Sequence, residues 1–188
     1  MVGGTGNQMP TDQENLKRFL AAQMPTGPSP SPGGPNSAFI AAIEKIGKPI
    51  IYVGWSAGGA LGESLVIARP DLFKAFVSLE ATGSCVPNPP PPGTPPMVNP
   101  AYVNALVANH IPFLNVNSTT GHSGRNPGGY APFVCQALID QIIAAGGDAT
   151  QVQTPALGIV GNSHMDFWEN HSFQIAQIVV DWIGSHVH

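Results

Sequence analysis

The residues best suited to covalent chemistry form a short glycine-flanked run, Gly54-Trp55-Ser56-Ala57-Gly58, which matches the pattern G-x-S-x-G. A serine hydroxyl is a weak nucleophile. It needs a base within hydrogen-bond reach, and that base needs an acceptor to fix its tautomer and stabilise its cation. The chain has six histidines from which to draw the base. His186 and His188 stand at the extreme C-terminus, where chain ends usually fray. His110 precedes an expected strand, His122 lies in a glycine-rich stretch, and His171 marks an expected helix start. His164, within Gly161-Asn162-Ser163-His164-Met165, follows the last expected strand and is the best placed. The competing reading of each is ordinary: a glycine-rich turn at Ser56 and a solvated loop histidine at His164.

The acid is reached largely by elimination. Glu80 is the one carboxylate that directly ends an expected strand. Asp71 precedes that strand, Glu63 and Asp140 fall within expected helices, and Asp148 precedes the fourth strand. Asp166 and Glu169 follow His164 too closely to reach it easily from below, and residues 115–124 contain no acid. The alternative for Glu80 is an ordinary strand-terminal carboxylate. The resulting chain order, Ser56, Glu80, His164, is the order expected of a G-x-S-x-G nucleophile elbow. There the backbone N–H of Ala57, the residue after the nucleophile, supplies one oxyanion donor.

Such an elbow works only between a strand and a helix that approach closely, and the pattern around it alternates accordingly. Helices are expected over residues 13–23, capped by Thr11 or Asp12, and 38–46, capped by Asn36 or Ser37 and stopped by Gly47. The apolar, β-branched run 49–53 reads as a strand buried on both faces, followed by a helix over 57–68. A strand over 74–79, a helix over 102–109, a strand over 111–116 and a helix over 130–145 continue the alternation. A fourth strand over 156–160 and an amphipathic helix over 172–183 complete it. Strands and helices taking turns imply an α/β fold with about four mostly parallel strands flanked by helices. Ligands and catalytic groups then collect at the carboxyl ends of the strands.

The chain has 188 residues, 43% hydrophobic and 10% charged, with 7 basic and 11 acidic side chains and a net charge of -4. That composition argues against global disorder and offers no basic face for nucleic acid. No apolar run reaches the roughly 18 residues of a membrane crossing. The first ten residues lack the cationic start and apolar stretch of a secretory leader, and the compartment stays open. Thirteen of the 20 prolines fall in residues 25–35 and 87–100, which should be extended loops. The segment 83–100 follows Glu80 and reads either as a lid or as an inert surface insertion. Cys85 and Cys135 are too few for a zinc site and either pair or stay reduced.

Taken together, these residues resemble the α/β-hydrolase superfamily, and within it a group of serine esterases whose acid is a glutamate after the strand that follows the nucleophile. Three stretches carry the likeness: residues 47–84, from GKPIIYVGWSAGG to SLEATGS; residues 155–186, with GNSHM as the most specific part; and residues 36–47. The 24-residue interval from Ser56 to Glu80 is similar as well. The resemblance implies a carboxylic ester hydrolase that works through an acyl-enzyme on a small-molecule ester, with no metal or organic cofactor. Trp55, Met165, Phe167 and Trp168 flank the catalytic positions and either line a substrate pocket or serve as plain core.

The front of the chain departs from the pattern. Hydrolases of this kind place several strands before the nucleophile strand, and a loop among them supplies a second oxyanion amide. Only 48 residues precede the expected strand here, and Gly3, Gly4 and Gly6 follow no recognisable strand. The nucleophile strand would then be a sheet edge, which invites association. The N-terminal residues cover that edge, or another chain does, or residues 1–188 are an N-terminally incomplete hydrolase domain; the last is the expectation. The competing functional class is a non-catalytic remnant that serves as a binding or assembly module. Peptidases and acyltransferases share the same triad.

Overall fold

The computed structural model describes residues 12–21, 34–81, 83–84, 98–118, 132–162 and 164–188. Thr11, the bulk of both proline-rich segments, His122, Cys85 and the glycines at 3, 4 and 6 lie outside them. Four parallel strands form one sheet in the order β1 (Ile50–Trp55), β2 (Phe73–Leu79), β3 (Phe113–Asn117), β4 (Ala149–Gln153). Helix α1 (Gln13–Ala21) starts at Asp12, whose Oδ1 accepts the Asn15 N–H at 3.0 Å. The remaining helices are α2 (Gly34–Ile46), α3 (Ala57–Ala68), α4 (Pro100–Ala108), α5 (Pro132–Ala144) and α6 (Ser172–His186). No described helix is long and apolar enough to cross a membrane.

Alternation along the strands sorts the core into two layers. On one face Phe73, Phe76 and Phe113 pack with Ile43 of α2, Leu65 and Val66 of α3, Tyr102 and Leu106 of α4, and Leu138 and Ile142 of α5. On the other, Ala75, Val77, Leu114 and Val116 pack with Ile175, Val179 and Trp182 of α6. The central strands β2 and β3 are therefore buried on both sides, as their apolar runs require. Each large side chain so buried contributes about 1.5–3 kcal/mol.

Most elements fall within two residues of the sequence reading, and three differ by more. Helix α2 begins at Gly34, earlier than residue 38, because Pro35 fits a first helical turn without needing a donor. Helix α6 runs to His186, whose ring stacks on Trp182 at 4.7 Å, so the terminus is held by packing. The fourth strand is Ala149–Gln153, and the expected strand at 156–160 is not formed. Instead Thr154–Leu157 makes a short 3-10 turn with Pro155 near its start, ended by Gly158 at φ 77°. The real β4 is a half-buried edge, so it has no need of the continuous apolar run that drew the prediction to its neighbour.

Candidate active site

Ser56 stands at the corner between β1 and α3 with φ 52° and ψ -126°. Non-glycine residues rarely occupy this region, and holding one there costs about 1–3 kcal/mol. Close packing on both sides over-determines the corner. A Cβ on Gly54 would lie 2.8 Å from Tyr52 Cε1 and 3.0 Å from the Gly58 carbonyl oxygen, and one on Gly62 would collide with Tyr52 and lie 2.6 Å from Phe76. The Tyr52 hydroxyl donates to the Gly58 carbonyl at 2.8 Å, tying the strand to the first turn of the helix. Gly54 thus meets the demand for smallness read from the motif. At Gly58 the nearest atom to an added Cβ is 3.8 Å away, whereas Gly62, outside the motif, is the tighter contact. Ala57 opens α3, where the first N–H groups of a helix have no acceptor within it and face outward as donors.

Register brings Glu80 to the same end of the sheet. Trp55 pairs with Leu79 across β1 and β2, so the residues just beyond them, Ser56 and Glu80, leave adjacent strand ends. Glu80 is 1% exposed and has φ 46°. Of the three non-glycine residues with positive φ among the described residues, two are Ser56 and Glu80, the third being His110. Strained backbone gathers where side-chain placement matters more than local comfort. The Glu80 carboxylate accepts the backbone N–H of Ser118, the residue after β3.

His164 lies in the loop between β4 and α6 and is 7% exposed. Its carbonyl accepts the Trp55 Nε1–H at 2.7 Å, and the two rings are 4.8 Å apart. Phe167 meets Trp55 edge-on at 4.9 Å and Trp168 at 5.8 Å. Met165 is half-buried and its carbonyl accepts the Trp168 N–H at 2.8 Å. The aromatic residues flanking the motifs therefore pack on one another at this end of the sheet, with Phe167 partly exposed. Asn162 Oδ1 and His171 Nδ1 meet at 2.7 Å and brace the loop from the start of α6.

Several polar residues here were given no role by the sequence reading, Asp166 and Glu169 having been weighed as the acid and set aside. Ser118 donates its hydroxyl to Asp166 Oδ2 at 3.3 Å. Asp166 is fully buried; burial, with repulsion from Glu169, pushes its carboxyl up to about 7 against hydrogen bonds from the Phe167 backbone and Ser118. Beneath the site, Ser78 donates to Asn115 Oδ1 at 2.8 Å, Asn115 to Gln151 Oε1 at 3.0 Å, and Gln151 to Asn117 Oδ1 at 3.1 Å. This chain crosses three strands in register. A separate cavity of about 230 Å³, lined among others by His110, Asp148 and His186, lies at the amino ends of β3 and β4, opposite Ser56.

No protein-family model matches the chain, and no curated protein matches it in sequence. Solved structures do. The chain is similar to a novel bacterial esterase at 27% identity and a TM-score of 0.73, covering 99% of this chain and 53% of that one. It also resembles a monoacylglycerol lipase of Paleococcus ferrophilus (16% identity, TM-score 0.51, 80% of this chain and 74% of that one). A metagenome-derived lipolytic enzyme is similar at 15% identity and a TM-score of 0.50, over 80% of this chain and 72% of that one. The chain spans about half the length of the first of these. The parallel four-stranded sheet, its flanking helices and these neighbours show that the chain has the α/β-hydrolase fold.

Proposed function

We propose that the chain carries the core of a serine carboxylic ester hydrolase. Ser56 Oγ attacks the ester carbonyl carbon while its proton passes to the His164 imidazole. The tetrahedral intermediate collapses as His164 returns that proton to the leaving alcohol, leaving an acyl group on Ser56. Water then attacks the acyl carbon by the same route and releases the acid. Glu80 orients the imidazole and stabilises its cation, and the Ala57 N–H faces the developing oxyanion.

The observation that carries this reading is the backbone of Ser56, held at φ 52° and ψ -126° at the carboxyl end of a parallel sheet. A merely connecting glycine-rich turn has no reason to spend that strain on a serine. The 27% identity with a bacterial esterase over 99% of this chain favours an ester over other acyl substrates. Trp55, Met165, Phe167 and Trp168 are assigned to the wall of the substrate pocket.

Because the chain spans 53% of that esterase, the activity proposed is that of the whole protein. Strand β1 has a paired neighbour only on its β2 side among the described residues, and Val53 on it is 51% exposed. We assign the second oxyanion donor and the cover for this edge to sequence beyond these residues. The same edge favours one competing reading, an assembly module without catalysis. A fluorophosphonate probe separates the two: the ester hydrolase is labelled at Ser56 and loses the label in Ser56→Ala, whereas labelling that persists in Ser56→Ala assigns the nucleophile elsewhere. An assembly module takes no label and elutes as an oligomer.

A further inference from the structure

Three carboxyl side chains gather around the His164 loop. Glu80 ends β2 and is 1% exposed, while Asp166 and Glu169 follow His164 at 0% and 1%. Ser118, at the end of β3, links two of them. Its backbone N–H donates to Glu80 and its hydroxyl donates to Asp166 Oδ2. Asp166 is thus connected to the proposed catalytic acid through a single residue.

Buried carboxyl groups that repel one another, as Asp166 and Glu169 do, cannot both ionise at small cost. No Lys or Arg occurs after Arg125 to offset them from the His164 side of the chain. Their surroundings separate their roles. Glu80 accepts a backbone N–H, which favours its anion. Asp166 Oδ1 is buried with no hydrogen-bond partner among the described residues, so an anion there would leave one oxygen unsatisfied.

We propose that Ser118 and Asp166 are positioning residues for Glu80: Asp166 keeps a proton in the working protein and, as a neutral acid, holds Ser118 without placing a second negative charge beside His164. This rests on the reading of Ser56, His164 and Glu80 as a triad. Asp166 Oδ2 accepts the Ser118 hydroxyl. Among the described residues, the titratable groups around Asp166 are Glu169 in its own turn, Glu80 across Ser118 at the end of β2, and His164 two residues before; His171 is engaged with Asn162 at the start of α6. The upward shift of the Asp166 carboxyl to about 7, caused first by burial, agrees with a retained proton. Once that proton leaves, the new charge stabilises the imidazolium of His164 and withholds the base.

An infrared titration of the intact protein reads the proton without requiring hydrolysis. The carbonyl band of a buried protonated carboxyl is expected at about pH 6 and fades by about pH 8. It is absent in Asp166→Asn and displaced in Ser118→Ala, which removes the hydroxyl but keeps the backbone N–H. A missing band, or one unchanged in both variants, overturns the proposal. The second readout is the pH dependence of fluorophosphonate labelling. Above about pH 7, where the parent carboxyl ionises and withholds the base, labelling of the parent should lag that of Asp166→Asn, which a purely structural role would not produce; parallel profiles overturn the positioning role. A protein that shows the band but takes no label at any pH overturns the triad itself. One that labels without the band overturns only the role of Asp166.

Discussion

The indole N–H of Trp55 donates to the backbone carbonyl of His164 at 2.7 Å, joining residues 109 positions apart in the chain. Trp55 is the neighbour of Ser56, so this bond sets the distance between the strand that presents the serine and the loop that presents the histidine. Trp55→Phe keeps an aromatic ring but removes this donor, a loss of about 0.5–1.5 kcal/mol in stability. Misplacing a base by about 1 Å can cost ~10²-fold in rate, so labelling of Ser56 should slow by about tenfold or more while the circular dichroism spectrum stays unchanged. Equal labelling rates in the two proteins would remove Trp55 from the positioning of His164.

Gly54 and Gly58 should respond oppositely to alanine. A methyl at Gly54 meets Tyr52 and the Gly58 carbonyl at 3.0 Å or less, and such overpacking costs about 1–3 kcal/mol. At Gly58 the nearest atom is 3.8 Å away and the residue lies in α3, where alanine gains up to about 1 kcal/mol over glycine. Urea unfolding should therefore place Gly54→Ala below the parent protein and Gly58→Ala level with or above it.

Glu80→Gln keeps the shape of the side chain but removes its charge. On the proposed mechanism the imidazolium then has no counter-charge, and turnover of a short acyl ester should fall by about 10²–10⁴-fold. KM should change far less, because Glu80 is buried. Full activity in this variant would assign the acid to another residue.

Glu63 ties together the two ends of the segment after Glu80. Its Oε2 accepts the Ser84 N–H at 2.8 Å, and its Oε1 accepts the Ser84 hydroxyl at 2.9 Å and the Asn99 Nδ2–H at 3.1 Å. Glu63→Ala strands these donors, at a cost of about 1–3 kcal/mol each if they stay dry. The expected outcome is faster proteolytic cleavage between residues 84 and 99, with labelling of Ser56 retained if the segment is a surface insertion and altered if it covers the site.

The Asp166 carboxyl makes folding stability depend on pH in an unusual direction. Its value is raised from 3.8 to about 7 in the folded protein, so between these values the folded state keeps a proton that the unfolded chain has released. Its contribution is complete below about pH 4 and is lost as the pH rises through about 7, by on the order of 4 kcal/mol at most. Asp166→Asn lacks this dependence. Its urea midpoint should decline less than that of the parent between about pH 4 and pH 8, and parallel curves would contradict the retained proton.

Much of the framework was legible in the residues because its causes are local. The run at 49–53, closed by small residues, makes a strand, though a partly exposed edge rather than one buried on both faces, and the tight turn at Ser56 follows from sterics within about ten residues of chain. Strand β4 was not legible, because at a sheet edge a sequence as polar as Ala149–Gln153 pairs through its backbone, while the more apolar stretch beyond it is broken by Pro155 and Gly158. The same limit applies to Asp166. Read as lying too near His164 in sequence to reach it as the acid, it was set aside, yet β3 delivers Ser118 between it and Glu80.

Local sequence thus decided which chemical groups exist and which turns present them, since φ, ψ and short-range packing are settled among neighbours. Their partners were decided only when the sheet formed. The bonds from Trp55 to His164 and from Ser118 to Glu80 and Asp166 join groups at least 38 residues apart. Such pairings, and the burial that raises the Asp166 carboxyl, come from strand register and the closing of layers over the site, quantities that no short stretch of chain contains.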